Sequence, residues 1–157
     1  VNIHQKPSST ELAKIAIGVA QSAKKLGYIP KVAILSYSNF GNPSGSNTKT
    51  INECLKILED KKVSFEFDGE MTAEVALDYN LIKENYPFCK LSGPANVLIM
   101  PDLYSANISF KLLQKMENLS VIGPIMIGGN NPFQIVQMGA SVSDIVNSAC
   151  ISTYNSL

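Results

Sequence analysis

The chain contains no arginine: its thirteen basic residues are all lysine, and thirteen acidic residues bring the formal net charge to zero. Arginine is the side chain that grips carboxylate and phosphate with two parallel bonds. Any anion site here must therefore be built from backbone amides, hydroxyls, side-chain amides or lysine. Without a net field to hold a polyanion, a dedicated nucleic-acid binder is not expected. Histidine occurs once, as His4, and the three cysteines, Cys54, Cys89 and Cys150, are widely spaced with no C-x-x-C pair. That inventory fits neither a zinc site nor a disulfide framework, and it points to a reducing, cytoplasmic setting. A Ser-His-Asp or Cys-His arrangement would need a partner from elsewhere. No apolar run approaches the ~20 residues that a bilayer requires, and no signal-peptide pattern opens the chain, so no membrane partner is expected.

What is present suits one ordinary core. A chain of 157 residues, 45% of them hydrophobic, buries about two-thirds of its unfolded surface without metal or disulfide staples. One domain over residues 1–157 is expected. The opening Val1-Asn2 suggests a piece of a longer polypeptide.

Periodicity alternates between helical and extended stretches. Ser8 to Glu11 has capping-box spacing, and Leu12, Ile15, Ala16, Val19, Ala23 and Leu26 then predict a helix over about 9–26. Lys31 to Tyr37 reads as a strand covered on both faces. Ile51, Cys54, Leu55 and Leu58 mark a second helix; Val63, Phe65 and Phe67 mark a second strand, ended by Asp68-Gly69. A weak helix at Ala73 to Leu77 precedes a polar stretch to about Ser92. Asn96 to Met100 is a third strand, Ser105 to Met116 a helix and Val121 to Ile127 a fourth strand. A second capping box at Ser141 to Asp144 opens a last helix reaching about Tyr154. The alternation predicts an α/β fold in three layers, with a mostly parallel sheet and helices on both faces.

Ligands of such sheets bind beyond the carboxyl ends of the strands. Four loops qualify, namely residues 38–47, 68–72, 101–107 and 128–141. The first offers Ser38, Asn39 and Gly41 to cradle a phosphate or another ligand, although it matches neither a P-loop nor G-x-G-x-x-G. It is as readily an ordinary loop. In the third, Pro101, Asp102 and Asn107 can position a polar ligand, or Asp102 can simply cap a helix. In the fourth, Gly128 and Asn131 can let a ligand approach the backbone or can simply turn the chain, and Asp144 fits N-terminal helix chemistry. Asp68 and Glu70 flank Gly69 as a possible acid pair or as two solvated carboxylates. Cys54 and Cys150 read as core residues on helical faces.

Taken together, Val32 to Gly41, Asp68 to Met71, Gly93 to Leu103 with Asn107, Ile122 to Ile125 and Ser141 to Asn147 resemble the phosphate acetyl/butyryltransferase family. The Ser-Asn-Phe-Gly and Gly-Pro-Ala-Asn wording is most similar to the phosphotransacetylase-like domain at the C-terminus of large bacterial NADP-dependent malic enzymes. The resemblance implies an isocitrate/isopropylmalate dehydrogenase-like fold of phosphotransacetylase type, of which this chain supplies the later half. It further implies that the Ser-Arg pair carried by active phosphotransacetylases is replaced here by Gln137-Met138, while the following aspartate is kept as Asp144.

A transferred phosphate needs a preorganised positive clamp, and Met138 supplies none. The resemblance thus leads us to expect a retained pocket without the reaction. Its lining would include Ser38, Asn39, Gly41, Pro101, Asp102, Asn107, Gly128, Asn131 and Asp144, with Gln137 and Met138 as degenerate catalytic positions. The expected ligand is an acetyl-CoA-like effector. Further expected partners are the enzyme's own N-terminal malic domain and a second copy in a homodimer or larger assembly. No catalytic residue, metal or cofactor is expected within the chain; NADP and a divalent metal, Mg or Mn, belong to the N-terminal portion. The competing expectation is a working phosphate acetyltransferase.

Overall fold

The structure, a computed structural model, describes residues 5–43, 46–117, 119–128 and 133–156. The chain divides into two compact units, one ending at Ala106 and the other beginning at Asn107.

In the first unit, helix α1 (Ser9–Lys25) starts where the sequence places a cap. Ser8 Oγ accepts from the Glu11 N–H, and Glu11 returns a carboxylate oxygen to the Ser8 N–H at 2.9 Å. Gly27, at φ +87°, ends it in a conformation that a side chain would strain. Strand β1 (Lys31–Leu35) follows and lies at the centre of a three-stranded parallel sheet. Its neighbours are β2 (Glu66–Met71) and β3 (Val97–Ile99), in the order β2-β1-β3.

Every second residue of β1 faces the same side, so its apolar run fills two cores. Val32 and Ile34 pack with Leu12, Ala16, Ile51, Cys54 and Leu58 from α1 and from α2 (Ser46–Asp60). Ala33 and Leu35 pack with Val75, Ala76 and Ile82 from α3 (Ala73–Leu77) and α4 (Tyr79–Asn85). The predicted α/β layering with helices on both faces is thus seen around a small parallel sheet.

Three expectations need correction. Strand β2 continues through Asp68-Gly69 to Met71. Gly69 is a packing glycine there, since a Cβ at this position would fall 2.8 Å from the Ile34 carbonyl oxygen. The polar stretch before Ser92 contains α4, because Asp78 accepts from the Asn80 and Leu81 amides and caps a helix that periodicity alone did not reveal. Residues 121–127 form no strand. Pro124 has no N–H to contribute, and Met126 exchanges its two backbone bonds with the Gln134 side chain, at 2.8 and 3.2 Å, instead of with a neighbouring strand.

Helix α5 (Leu103–Leu113) leads into the second unit, which also holds α6 (Val142–Ser156). No described side chain from 103 to 154 is buried. Cys150, expected in the core, is therefore exposed, because the face of α6 that carries it packs under nothing among the described residues.

Candidate functional site

The order β2-β1-β3 means that the chain winds one way from β1 and the other way to reach β3. This reversal opens a crevice beyond the carboxyl ends of β1 and β3. A cleft of about 360 Å³ lies at that edge, lined by Lys6, Glu11, Thr50, Ile51, Pro101 and Asp102 among others. Asp102 faces it as part of a helix cap. Its Oδ1 accepts from the Ser105 N–H at 2.8 Å and the Ser105 hydroxyl at 2.7 Å. Those bonds, the backbone one foremost, hold its carboxyl below the ordinary value, with a smaller contribution from the Lys6 charge.

The loop after β1 is built on a carboxylate that the sequence reading did not assign to it. Ile34 pairs with Gly69 and Leu35 with Met71, so the register shifts by one residue and Glu70 is left without a partner on β1, as in a β-bulge. A bulge redirects one side chain out of the strand's alternation. Here it sends Glu70, only 1% exposed, under the loop. Glu70 Oε1 accepts from the Ser38 hydroxyl, from the Gly41 N–H at 3.3 Å and from the Thr48 hydroxyl at 3.3 Å. Its backbone carbonyl also accepts from the Phe40 N–H, at 2.7 Å. Ser38, itself 1% exposed, lies 3.2 Å from the Ser36 hydroxyl. Glu70 Oε2 is buried and has no hydrogen-bond partner among the described residues.

Asn39 ties the same loop sideways. Its Oδ1 accepts from the Thr72 N–H at 2.8 Å, and its backbone exchanges two 3.0 Å bonds with Asn42. Phe40 packs against Tyr86 and Phe88 with ring centres 5.1 and 4.9 Å apart. The loops at 38–43 and 68–72 are thus one bonded structure. Asp68 and Glu70 are not a solvated pair. Asp68 is nearly buried and accepts from the Gly69 and Lys90 amides, and it leaves the carboxylate under the loop to Glu70 alone. Among the described residues no cluster of three or more His, Cys, Asp or Glu side chains is placed to hold a metal.

The chain matches the family model described as phosphate acetyl/butaryl transferase over residues 1–153. It belongs to the phosphate acetyl/butyryl transferase family. The NADP-dependent malic enzyme of Rhizobium meliloti is 51% identical to this phosphotransacetylase-like domain over 153 residues, which are 98% of the chain and 20% of that protein. The phosphate acetyltransferase of Helicobacter pylori is 39% identical over 93% of the chain and 28% of its own length. A phosphotransacetylase from Streptococcus pyogenes superposes with a TM-score of 0.89 at 31% identity, covering 98% of this chain and 46% of that one. The chain therefore spans about a fifth of the length of the malic enzymes it matches. It corresponds to their phosphotransacetylase-like domain.

Of the residues expected to line a pocket in this phosphotransacetylase-like domain, Ser38, Asn39 and Gly41 meet at Glu70 and Thr72, whereas Pro101 and Asp102 meet Thr50 and Ile51 at the cleft. Asn107, Gly128 and Asp144 belong to the second unit. Asn107 is exposed on α5, Gly128 turns the chain at φ +82°, and Asn131 lies outside the described residues, as does His4. Asp144 completes the predicted capping box. Its Oδ2 accepts from the Ser141 hydroxyl at 2.7 Å and the Ser141 N–H at 2.9 Å, and these bonds hold its carboxyl below the ordinary range. Met138 is fully exposed, at 104%. Gln137 Oε1 accepts from Lys111 Nζ at 3.2 Å, which places a cation beside this position.

The sequence reading named Glu70 only as half of a possible acid pair with Asp68, not as the anchor of the β1 loop, and it missed Thr48. One signal was available: an acidic residue between Gly69 and the apolar Met71 interrupts a strand that periodicity would otherwise continue.

Proposed function

We propose that this domain is a non-catalytic regulatory and oligomerisation module of an NADP-dependent malic enzyme, binding acetyl-CoA or a similar metabolite beyond the carboxyl ends of β1 and β3. The observation that carries the reading is Gln137-Met138. Where the resemblance puts a hydroxyl and a guanidinium, the chain has an amide and a solvent-exposed thioether. Acetyl transfer develops negative charge on phosphoryl oxygens, and a thioether does nothing to stabilise it. The loop anchored on Glu70 supports a retained receptacle, because it is held from below by three donors on one oxygen and from the side by Asn39.

The parent enzyme oxidises and decarboxylates malate to pyruvate, with NADP and a divalent metal held outside residues 1–157. The effector acts on that reaction only by binding two states of the enzyme unequally. Exposed Ile108, Leu112, Met116, Ile145 and Val146 support a homo-oligomeric assembly that covers them. A cytoplasmic setting is part of the same reading; no described helix is long and apolar enough to cross a membrane. Calorimetric titration with acetyl-CoA tests the proposal. Saturable heat is expected, and its absence up to millimolar ligand overturns the sensor reading for this domain.

One contact favours the second reading, acetyl transfer between phosphate and coenzyme A. Lys111 Nζ, 3.2 Å from Gln137 Oε1, is also 3.3 Å from Gln114 Oε1 and 5.6 Å from the Phe110 ring centre. It is an exposed point charge held by neutral amides and an aromatic face, and no hydroxyl is bonded to it among the described residues. We expect no turnover of acetyl phosphate with coenzyme A. Turnover that disappears in Lys111→Ala would establish the transferase reading and refute the first.

A further inference from the structure

We propose that residues 121–127 are an edge strand with one open side, and that this side takes a strand from the polypeptide preceding residue 1, in the first half of the same phosphotransacetylase-like domain. The proposal rests on the reading above that the chain is part of a longer polypeptide.

Val121, Gly123, Ile125 and Ile127 alternate with Ile122, Pro124 and Met126. In an extended backbone the two sets face opposite sides, and both are apolar here, the pattern of a strand covered above and below, as β1 is. Yet Ile122 is 46% exposed and Ile125 38%, and among the described residues no strand lies beside them. Consecutive residues of such a backbone also turn their N–H and C=O groups to opposite edges. The edge of Pro124 and Met126 is closed. The proline has no N–H, and Met126 donates its N–H to Gln134 Oε1 while its carbonyl accepts from Gln134 Nε2. The edge of Val121, Gly123, Ile125 and Ile127 is open, with no backbone hydrogen bond to any described residue. Buried backbone groups are almost always paired, so covering the two apolar faces requires a strand on that edge.

Length and coverage identify the occupant. The Streptococcus pyogenes phosphotransacetylase superposes on 98% of this chain, which is only 46% of that protein. More than half of such a molecule lies outside the part matched by residues 1–157, enough for a strand and for the helices that cover it. A second copy fits less well. Edge-to-edge pairing of two copies would close the open edge and leave both apolar faces bare, because a two-fold contact repeats one patch and adds no layer. A strand on the same polypeptide is also held nearby at a high effective concentration.

Hydrogen exchange tests the pairing by comparing the 157-residue chain, at two concentrations about a hundredfold apart, with the longer polypeptide that contains it. We expect the Gly123, Ile125 and Ile127 amides to exchange at nearly the free rate in the 157-residue chain at both concentrations, while the Val32 to Leu35 amides of β1 stay protected. In the longer polypeptide the same three amides should slow by at least about a hundredfold. There, Ile125→Lys should abolish the protection and leave β1 protected, whereas Ile125→Val should keep it. Protection of the three amides in the 157-residue chain would overturn the proposal, and protection that rises with concentration would name a second copy as the occupant. Free exchange in the longer polypeptide would overturn it equally, as would protection there that Ile125→Lys leaves intact. Calorimetric titration of both chains with acetyl-CoA keeps this pairing apart from the effector reading. Slowed exchange in the longer polypeptide without saturable heat sustains the pairing and removes the effector; heat with free exchange does the reverse.

Discussion

Replacing Gly69 with alanine puts a methyl group 2.8 Å from the Ile34 carbonyl oxygen and 3.0 Å from Ile34 Cβ, inside the β1–β2 pairing. Neither obstacle is the end of a flexible side chain. Ile34 is fully buried at the centre of the sheet, and its backbone is pinned on both sides by parallel neighbours. Relief therefore requires the two strands to separate, so the cost belongs in the upper part of the overpacking range, about 2–3 kcal/mol. For a chain of this size that is a fall of about 4–12 °C in the unfolding midpoint. Separation also moves the bulge that carries Glu70, so the Gly41 amide should exchange with solvent faster than in the wild type. Gly93→Ala is the control. Its added carbon would meet only Lys31 Nζ, the tip of a long side chain that can swing away, and the expected loss is under about 0.5 kcal/mol. Thermal and urea unfolding followed by circular dichroism, with hydrogen exchange at Gly41, read all three effects. Equal stability of the two alanine variants would refute the claim that Gly69 is there to let β2 approach β1.

Other outcomes follow from the same geometry. Leu58→Ala, at a fully buried position between α2 and the sheet, should cost about 2–5 kcal/mol in urea unfolding, and a loss below 1 kcal/mol would contradict the core assignment. The Ser92 N–H, and then its hydroxyl, bind the charged form of Glu66 and lower its folded value below 4.5. The unfolded chain holds that proton more tightly. The stabilisation is therefore present above about pH 4.5 and lost as pH falls through the depressed value, so Glu66→Gln should flatten the acid limb of a stability-against-pH curve. Thiol titration with Ellman's reagent at pH 8 should modify exposed Cys150 first. Burial pushes the Cys89 thiol up to about 11 and the Cys54 thiol up to about 12, so Cys54 should react only on unfolding, and equal rates for Cys54 and Cys150 would be inconsistent with the structure.

Two local helix caps were legible in the sequence. Ser8 with Glu11 and Ser141 with Asp144 are capping boxes at the positions their spacing predicts, because a cap needs only residues three apart. The apolar run at Val32 to Leu35 announced a strand buried on both faces, and α1 and α2 were readable from the 3.6-residue period. The resemblance carried by Ser-Asn-Phe-Gly and Gly-Pro-Ala-Asn agrees with the family match over residues 1–153.

Tertiary structure alone decided the rest. Asp68-Gly69 looks like a turn by composition, yet the close approach of β2 to β1 makes the glycine a requirement of packing, a property of two strands 35 residues apart. Val121 to Ile127 has the composition of a strand but pairs with none among the described residues, because strand formation depends on a neighbour and not on propensity. Glu70 became the centre of the β1 loop through a shift of register between β1 and β2, which no single segment encodes, and through donors at Ser38 and Gly41 after β1 and at Thr48 in the first turn of α2. Sequence settles what each segment can do with its own neighbours; which buried carboxylate meets which hydroxyl is settled by long-range register, where one residue of shift reverses the face a side chain presents.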